Sequence, residues 1–343
     1  MMSSLNNFFR ITIDTNPEDC NLHCIMCEEH SEYSNFIANL KKETGTSMRR
    51  MPIAWLEAIF QQAKDLGVTE IIPSTMGEPL LYAGFESILS LCHKHSIKLN
   101  LTTNGTFPKK SIEEWSKLLI PICSDIKISW NGATANTSEK IMKGISFEKN
   151  LSKLKKVIEY RDEYFRTNSY YCRITLQLTF LKNNMHELSD IIKLAASLGV
   201  DRVKGHHLWA HFDEIKNLSM KANLENINQW NEYVKEANET VNTYLKPNQE
   251  KVILENIIPL QEYLGHEIPA NYNCPFLEKE LWISATGNIS PCCAPDTQRK
   301  SLGDFGNIQN QTLQETLNSS TYQNLVENYK SYPLCQICNM RKP

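Results

Sequence analysis

The 343-residue chain lacks the features of a membrane protein and of a nucleic-acid-binding protein. No apolar run approaches the roughly 20 residues that span a bilayer, and the opening stretch MMSSLNNFFRITID contains no signal-peptide core. The net charge is −3 and there is no lysine-rich arm, which argues against nucleic acid or an anionic membrane as the main partner. Internal repeats and low-complexity tracts are also absent. These absences predict a cytoplasmic globular protein.

The order of short β-rich runs and helical runs indicates an α/β fold. Between residue 10 and about residue 210 the two kinds of run alternate. We predict strands at 10–15, 69–75, 98–103, 125–130, 172–181 and 202–209, and helices at 53–66, 84–95, 111–118, 148–164 and 185–198. Six strands separated by helices imply a parallel sheet with right-handed crossovers.

Eleven cysteines are the most unusual part of the composition. Disulfides are not expected in a cytoplasmic chain. Three of the cysteines, Cys92, Cys123 and Cys172, lie in apolar stretches and are interpreted as small buried hydrophobic residues. The other eight form two groups, Cys20, Cys24 and Cys27 near the start, and Cys274, Cys292, Cys293, Cys335 and Cys338 near the end.

The first group stands in the run CNLHCIMC, just after the first predicted strand. Three closely spaced thiolates can hold three irons of a cubane iron–sulfur cluster and leave the fourth iron open. A zinc site or a redox CxxC pair is the alternative at this point.

This CxxxCxxC spacing resembles that of the radical S-adenosylmethionine (radical SAM) superfamily. The resemblance implies a partial (β/α)6 barrel with its site at the carboxyl ends of the strands. It also implies a 4Fe–4S cluster on Cys20, Cys24 and Cys27 that binds SAM and generates a 5′-deoxyadenosyl radical. That radical abstracts a hydrogen atom from the substrate. A reducing protein such as flavodoxin or ferredoxin is the electron donor that such a family member needs.

Further segments match family motifs at successive strand ends. Met76-Gly77-Glu78-Pro79 resembles the Gly-Gly-Glu-Pro motif, in which the backbone and the glutamate contact the SAM amino group, although Met76 departs from it. Thr102-Thr103-Asn104-Gly105 and Ser129-Trp130-Asn131-Gly132 follow later strands. The resemblance therefore implies a set of SAM-binding residues, namely Met26, Gly77, Glu78, Asn104, Ser129 and Asn131.

The cysteines near the end resemble the SPASM and twitch domains of radical SAM enzymes, with the shorter twitch form the better match. Gly287 suits a hairpin turn between 281–284 and 288–291. The resemblance implies one auxiliary 4Fe–4S cluster, bound by Cys274, Cys292, Cys335 and Cys338, with a four-cysteine zinc site as the alternative. We expect a barrel over 1–212, a bridge of helices over 213–265 and the auxiliary domain over 266–343.

Cys293 does not belong to this set of four cluster ligands. In an extended segment Cys292 and Cys293 point to opposite sides, so Cys293 is either a free thiol near the auxiliary cluster or a buried apolar residue. The Pro-Cys-Cys context resembles radical SAM peptide epimerases, in which such a cysteine donates a hydrogen atom to turn an L-residue into a D-residue. The alternatives are an oxidative reaction on a peptide or small polyol with Cys293 inert, and an iron–sulfur carrier without enzymatic activity.

Four further residues are candidate ligands. His206, His207 and His211 are spaced as HHxxxH, which suits either a metal site or the wall of the adenine or substrate pocket. Arg173 either pairs with the SAM carboxylate or lies on the surface.

Overall fold

The computed structural model describes residues 8–74, 76–261, 268–294, 296–338 and 340–342, and the side chains of 296 and 297 are not described. Its strands are β1 Arg10–Ile13, β2 His23–Cys24, β3 Glu70–Ile72, β4 Lys98–Thr103, β5 Cys123–Ser129, β6 Met142–Lys143, β7 Arg173–Phe180, β8 Arg202–His207, β9 Ile253–Glu255, β10 Glu280–Ile283 and β11 Ile289–Ser290.

The α-helices, in the same part of the chain, are α1 Phe36–Thr44, α2 Ile53–Asp65, α3 Phe85–His95, α4 Ile112–Leu119, α5 Ala135–Ile141, α6 Phe147–Asn168, α7 Leu188–Leu198, α8 Leu224–Thr243, α9 Asp296–Arg299, α10 Leu313–Asn318, α11 Ser320–Asn328 and α12 Pro333–Gln336. Short 3-10 turns lie at Pro79–Leu81, Met185–Glu187, Asp213–Leu218, Lys300–Leu302 and Tyr329–Ser331. No helix in the described ranges is long and apolar enough to cross a bilayer.

The main sheet has its strands in the order β11-β10-β1-β3-β4-β5-β7-β8-β9. The six strands predicted from the sequence, β1, β3, β4, β5, β7 and β8, are neighbours in this order and pair in parallel. The α/β fold and its parallel six-stranded core are therefore confirmed. Residue 75, the last of the predicted second strand, lies outside the described residues.

Alternation along each strand divides the sheet into a helix-packed face and a polar face. On β1, Ile11 and Ile13 are fully buried in the hydrophobic core, whereas Arg10, Thr12 and Asp14 line an interior cavity. Because one face of the strands packs on helices, the other face is left to form the site.

The segment expected to be a bridge of helices is not helical throughout. It contains the long helix α8, but β9 follows it and pairs in parallel with β8. On the other side, β10 pairs in parallel with β1 and antiparallel with β11. Both additions give hydrogen-bond partners to backbone groups that edge strands would leave unpaired. The predicted boundaries at 212/213 and 265/266 stay predictions, and the second falls within residues 262–267, which lie outside the described residues.

The predicted hairpin near Gly287 is present. Gly287 has a φ of +87°, a left-handed conformation that glycine adopts without strain, and Trp282 pairs with Ser290 across the turn. The hairpin brings the chain before Cys292 alongside the barrel.

Candidate active site

A cavity of about 610 Å³ lies at the carboxyl ends of the barrel strands. Its lining includes all eight cysteines of the two sequence groups. Cysteines from the two groups, at least 247 positions apart in the chain (274 − 27), thus face one space, since β10 attaches the C-terminal segment to β1.

The first cysteine group lies on a loop that is anchored at both ends. Leu22 and Ile25 are buried in a small apolar cluster with Met142, and Cys24 pairs with Met142 between β2 and β6. The backbone N–H of His30 donates to the Cys27 sulfur at 3.4 Å. Packing of the residues between the cysteines therefore holds the three sulfurs toward the cavity.

The electrostatics of this loop favour a bound cation. Burial raises the pKa of the Cys20 and Cys24 thiols, and raises that of Cys27 to about 12. Neighbouring cysteines raise the pKa of Cys24 and Cys27 further. Thiolates are stable here only with compensating positive charge, such as that of metal ions.

The donor set of this loop fits an iron–sulfur cluster. Three partly buried thiols border open space, as expected for a cluster that leaves one iron free. Within the described ranges, no three His, Cys, Asp or Glu side chains are already arranged around a single metal ion.

The loop after β3 docks on the cysteine loop through backbone hydrogen bonds. The N–H of Glu78 donates to the Asp19 carbonyl at 2.8 Å, and the Asn16 side-chain amide donates to the Glu78 carbonyl at 3.0 Å. Gly77 has a φ of +74° and lies so close that a Cβ there would come within 2.3 Å of the Asn16 carbonyl oxygen. Met76 and Gly77 line the cavity. Asn16 was not identified from the sequence, because one asparagine after a strand carries no signal.

The side chain of Glu78 has a different environment from the one expected. It is fully buried, and its carboxylate accepts hydrogen bonds from the Thr103 hydroxyl at 2.9 Å, the Asn104 N–H at 2.8 Å and the Leu80 N–H at 3.2 Å. The expected contact of this carboxylate with the SAM amino group is therefore not available in this conformation. Glu78 instead fixes the loop after β4 against the loop after β3.

Burial raises the pKa of Glu78 to about 7, although its three hydrogen bonds favour the charged form. In an unfolded chain this carboxyl has a pKa near 4.5, so between the two values the folded state holds a proton that the unfolded state has lost. We expect wild-type stability to fall relative to Glu78→Gln as pH rises from 4.5 to 7, by on the order of 3 kcal/mol. Paired thermal melts of the two holoproteins check this. A pH-independent difference would show that the carboxyl keeps its ordinary pKa.

The other predicted SAM-binding residues line the cavity, and hydrogen bonds already hold the side chains of two of them. Asn104 donates to Asn21 at 2.9 Å and approaches the Cys20 sulfur at 3.8 Å. Met26 and Ser129 line the cavity. Asn131 also reaches it, but its side-chain oxygen accepts from the Thr179 N–H at 2.8 Å, so this residue mainly joins the ends of β5 and β7.

The three histidines do not form a metal site. All three line the cavity. The ring of His207 packs edge-on against Phe180 and Trp230. Although neighbouring residues on a strand point to opposite faces, His206 and His207 both border the cavity, contrary to the sequence-based expectation that at most one of them would.

Arg173 cannot pair with the SAM carboxylate in this structure. It lies at the start of β7, at the amino end of the barrel, and lines a second, separate pocket with Asp201 and Lys246. Its nearest carboxylate is Asp125 at 3.9 Å, and its side chain is 45% exposed. The surface alternative is the correct one.

All five C-terminal cysteines line the cavity, Cys292 and Cys293 included. The prediction that these two thiols point to opposite sides is wrong, because β11 ends at Ser290 and the chain bends at Pro291 and Ala294. The Cys293 thiol donates a hydrogen bond to the Cys292 sulfur, which lowers the pKa of Cys292 and raises that of Cys293 well above its usual range. Cys293 is thus a neutral thiol among the other four cysteines.

Comparison with known proteins identifies the class. Residues 17–195, just over half of the chain, match the radical SAM superfamily, and residues 274–339 match SPASM, an iron–sulfur cluster-binding domain. The chain belongs to the radical SAM superfamily. It is an enzyme whose cofactors are a SAM-binding 4Fe–4S cluster, an auxiliary cluster and SAM, and the carrier alternative is therefore wrong.

Several solved structures share the fold of this chain. Streptococcus suis SuiB bound to S-adenosylmethionine has a TM-score of 0.66 at 17% identity, covering 97% of this chain and 72% of that one. SuiB bound to its precursor peptide SuiA has a TM-score of 0.65 at 16% identity, with coverages of 93% and 67%. The protein anSMEcpe with bound AdoMet and Cp18Cys peptide has a TM-score of 0.64 at 17% identity, with coverages of 97% and 89%. At these identities the similarity establishes the fold. No sequence among curated proteins matches.

Proposed function

We propose that this enzyme epimerises L-residues to D-residues in a ribosomally made peptide, with Cys293 as the hydrogen donor. The observation that carries the proposal is that Cys293 faces the same cavity as Cys20, Cys24 and Cys27. A substrate in that cavity has the radical-generating site on one side and a thiol on the other. The peptide-bound structures of SuiB and anSMEcpe support a peptide as the substrate class.

The residues have distinct proposed roles. Cys20, Cys24 and Cys27 would hold the first cluster, which with bound SAM would supply the radical chemistry that removes one hydrogen atom from the substrate. Cys274, Cys292, Cys335 and Cys338 hold the auxiliary cluster. The loops carrying Met26, Gly77, Asn104, Ser129 and Asn131 shape the SAM pocket, and Glu78 fixes two of those loops together.

Cys293 is suited to return a hydrogen atom because a thiol S–H bond is a good hydrogen-atom donor and this residue lines the cavity. When the planar substrate radical takes that hydrogen on the opposite face, the configuration inverts and a thiyl radical remains on Cys293. One electron and one proton restore the thiol, and a flavodoxin or ferredoxin is the class of protein that supplies the electron.

The proposal is tested by co-expression in heavy water with a short peptide encoded beside the gene. Because the thiol hydrogen exchanges with solvent, we expect carbon-bound deuterium in residues that hydrolyse to D-amino acids. Cys293→Ala should reduce epimerised product at least a hundredfold while 5′-deoxyadenosine is still formed. The buried Cys172, which lies away from the cavity, provides the control variant Cys172→Ala. A peptide that loses hydrogen or gains a bond without carbon-bound deuterium would favour the oxidative alternative, in which Cys293 is inert.

A further inference from the structure

The interior of the barrel below the cysteine groups is lined by charged side chains that are mostly paired. Arg10 contacts Glu70 at 2.6 Å and Glu280 at 2.9 Å. On the opposite side, Arg202 contacts Asp125 and Glu255, and Lys204 also contacts Glu255, at 2.9 Å. Each of these four carboxylates is therefore engaged by an arginine.

Lys127 is different from these neighbours. It lies on β5, is only 9% exposed, and lines the cavity. Within the described parts of the chain its ammonium group has no hydrogen bond and no ion pair. Burial and the nearby Lys204 together lower its pKa to about 8, although Asp125 acts in the opposite direction. A buried charge of this kind is costly unless a partner is supplied.

The position of Lys127 separates it from the expected SAM pocket. It precedes Ser129 by two residues on the same strand, so it occupies the same face roughly 7 Å deeper in the barrel. Its register partners on the neighbouring strands are Thr102 on β4 and Thr175 on β7, which are uncharged. The carboxylates that act electrostatically on Lys127, Asp125 and Glu280, are already engaged by arginines.

We infer that Lys127 is a substrate-binding residue that holds a carboxylate of the substrate at the floor of the barrel. An ammonium group offers three donors and no acceptor, and the protein carboxylates around it are already used. The inference rests on the proposed peptide substrate, whose carboxylate is either an Asp or Glu side chain or the chain terminus. Lys127 then selects the part of a peptide that enters the cavity.

Binding of small peptides to the reconstituted holoenzyme with SAM tests this. The probes are N-acetylated, C-amidated Gly-Glu-Gly and Gly-Asp-Gly, their Gln and Asn counterparts, and Gly-Gln-Gly with a free C-terminal carboxylate. Ultrafiltration followed by mass spectrometry measures the retained fraction of each. We expect at least one acidic probe to bind about tenfold more tightly than its amide counterpart, since charged hydrogen bonds contribute that much. The side-chain and terminal acids distinguish the two sources of the carboxylate.

Three variants complete the experiment. Lys127→Met should abolish the preference for acids without lowering the melting temperature, because no partner is lost, and Lys127→Arg should keep part of the preference. Lys204→Met, which removes an already paired cation from the same cavity, should keep it fully. Equal binding of acids and amides by the wild type, an unchanged preference in Lys127→Met, or loss of SAM binding in Lys127→Met would each overturn the inference. The binding readout does not depend on whether the peptide is epimerised, so failure of the proposed function is seen separately.

Discussion

Replacing Cys24 by alanine should eliminate the SAM-binding cluster and with it all formation of 5′-deoxyadenosine. Cys24 lies at the centre of the loop, pairs with Met142 across the small ribbon, and faces the cavity with Cys20 and Cys27. Two remaining thiols cannot hold a cubane that needs three ligands and an open iron. We expect iron content to fall by about half, since the auxiliary cysteines are unchanged, and SAM cleavage to fall below detection.

The matched control for this experiment is Cys92→Ala. Cys92 is also a buried cysteine, but it lies on α3 in the helix-packed core. Its loss should cost about 1 kcal/mol of stability through a small cavity and leave both iron content and SAM cleavage unchanged. If Cys24→Ala keeps full iron content and cleaves SAM, the assignment of the first cluster to this loop is wrong.

Gly77→Ala should weaken SAM binding at least tenfold. An added Cβ would come within 2.3 Å of the Asn16 carbonyl oxygen and 2.9 Å of that of Pro17, and the φ of +74° is unfavourable for alanine. Because both oxygens belong to the cysteine-loop backbone, relief of the clash must move the loop after β3 away from the cluster. Equilibrium dialysis with labelled SAM measures the loss.

Gly67 provides a matched control because it has nearly the same conformation without the contact. Its φ is +75°, and nothing lies within 4 Å of a Cβ built on it. Gly67→Ala should therefore show the backbone strain alone, about 1 kcal/mol of stability, with unchanged SAM binding. Equal effects of the two substitutions on SAM binding would mean that strain, and not the close approach to Asn16, is responsible.

Local features of the sequence were sufficient to predict the strands of the barrel core and the two cysteine groups. Short β-rich runs that alternate with helical runs identified all six core strands, because parallel strands need helical crossovers between them. Cysteine spacing likewise identified both groups, the first within residues 20–27 and the second over residues 274–338. Such patterns can be recognised along the chain without knowing which distant residues are in contact.

Residue roles that depend on distant partners were less predictable. Glu78 matches a SAM-binding motif, yet its carboxylate contacts Thr103 and Asn104, about 25 residues away. Arg173 lies on a predicted strand, but its depth places it at the end opposite to the cysteines. A motif specifies residue type, whereas the direction and depth of a side chain depend on how strands are aligned in the sheet.

The sequence alone determined which reactive groups this protein carries, namely one group of three cysteines near the start of the chain and another of five near its end. Only the tertiary structure decided that both groups share one cavity, through the pairing of β10 with β1. It also decided that Cys293 turns to the same side as Cys292 and that Lys127 lies buried without a partner among the residues that the structure describes. These facts follow from contacts between segments far apart in the chain, where pairing geometry and packing, which no local pattern records, select the arrangement.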